Sequence, residues 1–194
     1  MLRILATQEE IDVCRQYSKE ASEHDDEFKL LGLQLQTRIL NRYFSEKMGV
    51  VGTRKYFLSK GHRCSEINFS YCPIELYAPD LIVDGKTICH VKATKHYDVD
   101  IGDLTWLFDL STPLIKSRDV EIFNSYPSDL VSFCMVSNHQ IDLFAIIPSQ
   151  ILLELELYNI DWVETFRGKT IRQIHGFSIP QEYWIPNSWG GLWY

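Results

Sequence analysis

The residues with the most chemical potential in this chain fall in one short stretch, Ala78-Pro-Asp-Leu-Ile-Val-Asp-Gly-Lys-Thr-Ile-Cys-His-Val-Lys-Ala-Thr94. β-Branched residues flank an Asp84-Gly85 turn signal, so the spacing predicts a β-hairpin with Asp80 on its first strand and His90 and Lys92 on its second. A carboxylate, an imidazole and an ammonium group bind cations, move protons and offset anionic charge, provided that they converge. His90 and Lys92 are two apart on one strand and therefore share a sheet face. Asp80 joins them in one register only. A three-residue loop over 84–86 sets Val83 against Thr87 and Asp80 against His90. The two-residue loop that Asp-Gly favours sets Asp80 against Cys89, on the other face.

The rest of the chain must supply the elements that hold this hairpin. Thr7 with Glu10 three residues on forms a capping-box pattern, and Ile11, Cys14 and Tyr17 recur at spacings of three, which predicts a first, acidic helix over 8–22. Phe28, Leu31, Leu35, Ile39, Leu40, Tyr43 and Phe44 follow a 3.6-residue period, predicting a second helix over 27–48 with Gly49 as its C-cap glycine. Polar and apolar residues alternate over 65–71, predicting a half-buried strand closed by Pro73. A helical pattern broken by Pro113 is read over 104–110 and 114–116. Strands are expected over 131–136 and 141–147, and Ser149 is placed as the N-cap of a short helix. From Phe177 on, Trp184, Trp189 and Trp193 among prolines and glycines predict an irregular tail anchored by aromatics.

Pro79-Asp80, a short hairpin and then His90-Val91-Lys92-Ala93-Thr94 resembles the core motif of the PD-(D/E)xK restriction-endonuclease-like nucleases. Gly32-Leu-Gln-Leu-Gln36 on the second helix is similar to the glycine and later acidic residue that precede the strands in that superfamily. The elements at 104–118, 131–136 and 141–147, and the strand-to-proline-to-helix ending Asp142-Leu-Phe-Ala-Ile-Ile-Pro-Ser149, are also similar to such cores. The resemblance covers roughly 28–157 and implies an α/β fold with a restriction-endonuclease-like core, a central mixed β-sheet flanked by helices. It also tips the hairpin toward the register that joins Asp80 to His90. The roles it implies are Asp80 and His90 near a Mg²⁺ or Mn²⁺ ion, Lys92 as the catalytic lysine that positions the attacking water and offsets phosphate charge, and Gln36 in support.

Two departures from the family pattern bear on the metal. His90 stands where the family most often has a carboxylate before x-Lys, and Gln36 stands where the helix usually offers glutamate. Imidazole is a poorer ligand than carboxylate for Mg²⁺ and a better one for Mn²⁺, Fe²⁺ or Zn²⁺. Glu27, Glu66 and Glu75 are each able to supply a missing carboxylate. Each site residue also has a plain structural reading: Asp80 as a turn or strand cap, Lys92 as a solvated strand residue, Gln36 as a buried hydrogen-bond partner.

Composition narrows the remaining classes. A chain of 194 residues, 45% hydrophobic and 23% charged, is read as one compact domain over 1–194, with the core flanked by the helix at 8–22 and an aromatic-rich extension over 160–194. The net charge of −7 excludes a globally basic nucleic-acid binder, and much of it is local, from Glu9, Glu10, Asp12, Glu20, Glu23, Asp25, Asp26 and Glu27 against Arg3, Arg15, Lys19 and Lys29. A local basic track suffices for an enzyme acting on DNA. Candidate phosphate-binding groups are Lys95 and His96 just past the motif, Arg54-Lys55 with Lys60 and Arg63, and Arg167, Lys169 and Arg172, with ordinary surface charge as the alternative for each. The five cysteines form no Cys-x-x-Cys pair, which points to buried free thiols rather than disulfides or a zinc ribbon. No apolar run reaches the roughly 18–20 residues of a membrane span, so a soluble, cytoplasmic protein is expected. These readings converge on a metal-dependent DNA endonuclease, with a homodimer suited to cutting both strands of a duplex. The rival from another class is a catalytically inactive nuclease-fold protein that acts as a DNA-binding or assembly partner.

Overall fold

The computed structural model describes residues 1–24, 33–71, 79–95, 105–109, 129–154, 158–166, 169–178 and 183–185. Its element order is β1 (Leu2–Leu5), α1 (Gln8–Glu23), α2 (Leu33–Ser59), β2 (Leu81–Val83), β3 (Thr87–Lys95), β4 (Thr105–Asp109), β5 (Leu130–Ser137), β6 (Gln140–Pro148), α3 (Ser149–Glu154), β7 (Tyr158–Phe166) and β8 (Lys169–Ser178). Five strands form a mixed sheet in the order β1-β6-β5-β3-β2, in which β3 and β5 are parallel and the other neighbours antiparallel. The protein is thus α/β, with a mixed sheet and helices packed against it. No helix among the described residues is long and apolar enough to cross a membrane.

The capping box at Thr7 and Glu10 is formed, with the Thr7 hydroxyl accepting from the Glu10 N–H and the Glu10 carboxylate accepting from the Thr7 N–H, and α1 starts at Gln8 as its sequence requires. The second helix departs from expectation. It runs on through Gly49 and Gly52 to Ser59, and its C-terminus is a Schellman motif at Gly61 (φ 86°), where His62 N–H donates to the Phe57 carbonyl and Gly61 N–H to that of Leu58. The two glycines are there for close approach rather than for capping. A Cβ on Gly49 would lie 2.7 Å from the Ala93 Cβ, and one on Gly52 would lie 2.6 Å from Ile141 Cγ2, so α2 sits with its backbone almost on β3 and β6. Between them Thr53 reaches Ser132 on β5 through a buried hydroxyl pair at 2.7 Å.

The face of the sheet beneath α2 therefore presents Val91, Ala93, Cys134 and Ile141. Strand alternation gives the other face to His90, Lys92, Val131 and Phe133. Val131, Phe133, Ala145 and Ile147 are buried there, so β5 and β6 are covered on both sides, which is why they read as continuous apolar runs rather than as alternating strands. At the β5–β6 bulge Phe133 pairs with Ala145 and Cys134 with Leu143, leaving Phe144 as the extra residue. Its carbonyl accepts the Ile185 N–H at 2.6 Å and its ring meets Trp184 edge-on.

Three further expectations are corrected. Residues 65–71 form no strand; the segment makes one bridge, Cys64 with Val83, along the outer edge of β2, and the fifth strand of the sheet is β1 instead. Alternation there reflects an edge segment with one half-buried side, not membership of the ladder. Residues 105–109 are a strand, β4, not a helix, and the chain from Phe177 is not irregular at its start, since Phe177 and Ser178 end β8; 158–166 and 169–176, for which no element was expected, are also strands. Together they make a second, three-stranded antiparallel sheet in the order β4-β8-β7. The Trp-Leu-Phe core of 105–109 suits either period when read alone, and its partners lie far away in sequence. The expected positions 27–32 and 110–118 lie outside the described residues.

Candidate active site

The hairpin decides whether a site can exist. Asp84 and Gly85 both take positive φ, 51° and 71°, and the Lys86 N–H donates to the Val83 carbonyl at 3.2 Å, as a type I′ turn requires. The turn chemistry of Asp-Gly is therefore obeyed. Pairing nevertheless resumes at Val83 with Thr87, so Lys86 is one residue added to the two-residue turn. With Leu81 opposite Cys89, the next step of the register brings Asp80 opposite His90, and Lys92 lies two residues further along the face of His90.

The turn is itself anchored. The Asp84 N–H donates to the Arg63 carbonyl at 2.8 Å, and its carboxylate accepts the Arg63 N–H at 2.9 Å and pairs with His62 Nδ1 at 2.8 Å. The Arg63 N–H and then His62 hold the Asp84 carboxyl below its usual range. Ser65 N–H donates to the Ile82 carbonyl and Ile82 N–H to the Ser65 hydroxyl, which covers the outer edge of β2. The Schellman cap of α2 feeds directly into this strap, so helix end, edge and turn form one unit.

Asp80 stands just before β2, where the ladder ends. Its Oδ2 accepts the Val91 N–H at 2.8 Å, replacing a backbone partner that a longer β2 would have supplied. On the other side of β3, Asp129 does the same at the start of β5: its Oδ1 accepts the Ile88 N–H at 3.2 Å, and its carbonyl accepts the Ser149 N–H at 2.8 Å. Both aspartates press close enough on Cys89 to push its thiol up further, after burial itself. Asp129 was not among the expected site residues. Its signal was in the sequence, because Asp129-Leu-Val repeats the pattern of Asp80-Leu-Ile, an aspartate immediately before a strand.

His90 is buried, with 6% of its surface exposed, while Asp80 and Lys92 are half-buried. Gln36 is half-buried on α2, which packs on the opposite face of the sheet from His90 and Lys92. Glu66 is exposed and paired with Arg54 at 2.7 Å, and Glu27 and Glu75 lie outside the described residues. Of the candidate phosphate contacts, Lys55 is tied to Glu10 at 2.5 Å and to the Leu5 carbonyl at 3.0 Å. Lys95 is the last residue of β3, and Lys169 and Arg172 stand opposite Phe166 and Glu164 in the β7–β8 register. His96 and Arg167 lie outside the described residues.

Among the described residues no group of three or more His, Cys, Asp or Glu side chains is placed to hold a metal ion. Asp80 and His90 offer an oxygen donor and a nitrogen donor. One Asp80 oxygen is taken by the Val91 N–H and His90 is buried, so the described residues do not by themselves make up a metal site. The thiols add nothing to it: burial pushes Cys14 up to about 12 and Cys134 up to about 11, and Cys89 well above its ordinary value. Comparison with protein-family models, curated proteins and solved structures found no match to this chain.

Proposed function

We propose that this protein is a metal-dependent DNA endonuclease that hydrolyses phosphodiester bonds. The observation that carries this reading is the hairpin register: a turn of ordinary chemistry followed by one added residue, with Asp80 opposite His90 and Lys92 on the same face. One added residue sets the register in which Asp80 stands opposite His90, with Lys92 two residues on, and this supports a site there. The motif resemblance described above supports the same reading.

Asp80 and His90 would hold a Mg²⁺ or Mn²⁺ ion, which when bound neutralises charge on the scissile phosphate. Lys92 is half-buried on β3, opposite the fully buried Phe133 of β5. There it offsets phosphate charge and orients the attacking water. Asp80, anchored to the Val91 N–H, is held in one orientation by the strand that carries the other two groups. The test is cleavage of an end-labelled duplex: strand scission that EDTA abolishes, and that Mn²⁺ restores more strongly than Mg²⁺, supports the enzyme. Scission of equal rate in EDTA argues against it.

A second reading, an inactive nuclease-fold protein that binds DNA or assembles with a partner, is favoured by a specific observation. One Asp80 oxygen already serves the Val91 backbone, and His90 is buried. In that reading the three residues fasten the hairpin to the sheet, and binding without scission is the expected result.

A further inference from the structure

The structure separates the basic residues around the end of α2 into two sets. Arg54 and Lys55 are engaged in ion pairs with Glu66 and Glu10. Arg63 and Lys86 are exposed and make no ion pair among the described residues. They stand together, because Arg63 is joined to Asp84 by two backbone-mediated bonds, at 2.8 and 2.9 Å, and Lys86 follows two residues later in the same turn. Asp84, the one acidic group of this tip among the described residues, is occupied by His62 and the Arg63 N–H and is held in its charged form by them. Lys60, exposed and with its ammonium 5.7 Å from the Tyr56 ring centre, borders the same tip. Arg63 and Lys86 against Asp84 leave a local formal charge of +1 on a chain whose net charge is −7.

We propose that the hairpin tip, through Arg63 and Lys86, is a docking surface for the phosphodiester backbone of a nucleic acid. The inference rests on the nuclease reading for its choice of polyanion. The tip is rigid, fixed by the turn, the strap and the helix cap, so little conformational entropy is lost when a phosphate binds there. It is also at a useful distance. Lys86 precedes Lys92 by six residues of extended chain, about 20 Å at roughly 3.3 Å per residue. That span matches about six base-pair steps of duplex at roughly 3.4 Å each. A duplex lying along the hairpin would run from the tip toward the half-buried Asp80 and Lys92.

The test is fluorescence anisotropy of a short labelled duplex with the full-length protein in EDTA, so that binding is read without scission. The double variant Arg63→Glu with Lys86→Glu should bind about tenfold or more weakly at low salt, and the slope of log affinity against log salt should fall by about 1.8, at roughly 0.9 per lost phosphate contact. Lys19→Glu, an exposed reversal on α1, should shift affinity by no more than about twofold and controls for net charge. A double variant that binds like Lys19→Glu overturns the surface, as does wild-type capture by phosphatidylserine vesicles in place of duplex. Tight, tip-dependent binding without cleavage in Mn²⁺ upholds the surface while removing the nuclease reading. Cleavage with tip-independent binding does the reverse.

Discussion

Asp80 caps the strand, and the nuclease reading gives it a second, catalytic role that substitution is able to separate from the first. Asp80→Ala leaves the Val91 N–H without its acceptor and should cost about 1–3 kcal/mol of stability, whereas Asp80→Asn keeps an acceptor oxygen and should melt close to wild type while losing catalysis. Thermal melts beside cleavage rates check this, and an active Asp80→Asn would mean that the carboxylate is only a strand cap. On the nuclease reading proposed above, His90 would set the metal preference: activity should be weak in Mg²⁺ and rescued by Mn²⁺, and His90→Glu should improve use of Mg²⁺. Indifference of the Mg²⁺ rate to His90→Ala would deny it a ligand role. The buried thiols make a pH prediction of known sign. Cys14 and Cys134 keep their protons in the folded chain, up to about 12 and about 11, whereas the unfolded chain releases them near 9.0. Their contribution is therefore fully present below pH 9.0 and lost as pH rises toward those values, so urea midpoints should fall over that window, and less so in Cys14→Ala. At this scale the sequence was informative. The register that sets Asp80 opposite His90 was one of two legible in the sequence, and the undecided part was a single added residue, Lys86, that no turn propensity specifies. Asp129 went unread because its meaning depends on β3, far from it in sequence.

At the scale of elements, the capping box, the hairpin and the strands at 130–137 and 140–148 were legible because their signals are local: a cap, a turn dipeptide, β-branched runs. The length of α2 was not. Gly49 looks like a stop in the sequence and is a contact in the fold, a distinction that needs β3 and β6 in place. Gly52→Ala should therefore act by overpacking, since its Cβ would stand 2.6 Å from Ile141 Cγ2, despite the better helix propensity of alanine. A loss of about 1–3 kcal/mol, or roughly 3–10 °C in Tm, is expected by calorimetry. An unchanged or raised Tm would show that α2 has room to move off the sheet. The strand at 105–109 and the pair at 158–178 were missed for the same reason as Asp129. Their ladder joins chain segments far apart, and a short apolar run carries no period of its own.

For the whole molecule, a mixed sheet with β3 parallel to β5 and a long helix across one face supports a single rigid hairpin, strapped at its turn and capped at its base by two aspartates. The α/β class and four of the five strands of the mixed sheet followed from patterns that agree across levels, whereas the proposed activity depends on the chemistry of three side chains. The nuclease reading therefore stands or falls on Lys92. The measurement is nicking of supercoiled plasmid in Mn²⁺ by wild type and by Lys92→Ala, with thermal melts confirming that both are folded. Wild type should convert plasmid to the open circle, and Lys92→Ala should be slower by about a hundredfold or more, the usual effect of removing a group that stabilises transition-state charge. Equal rates for the two proteins, or no nicking by folded wild type in Mn²⁺ or Mg²⁺, would contradict it.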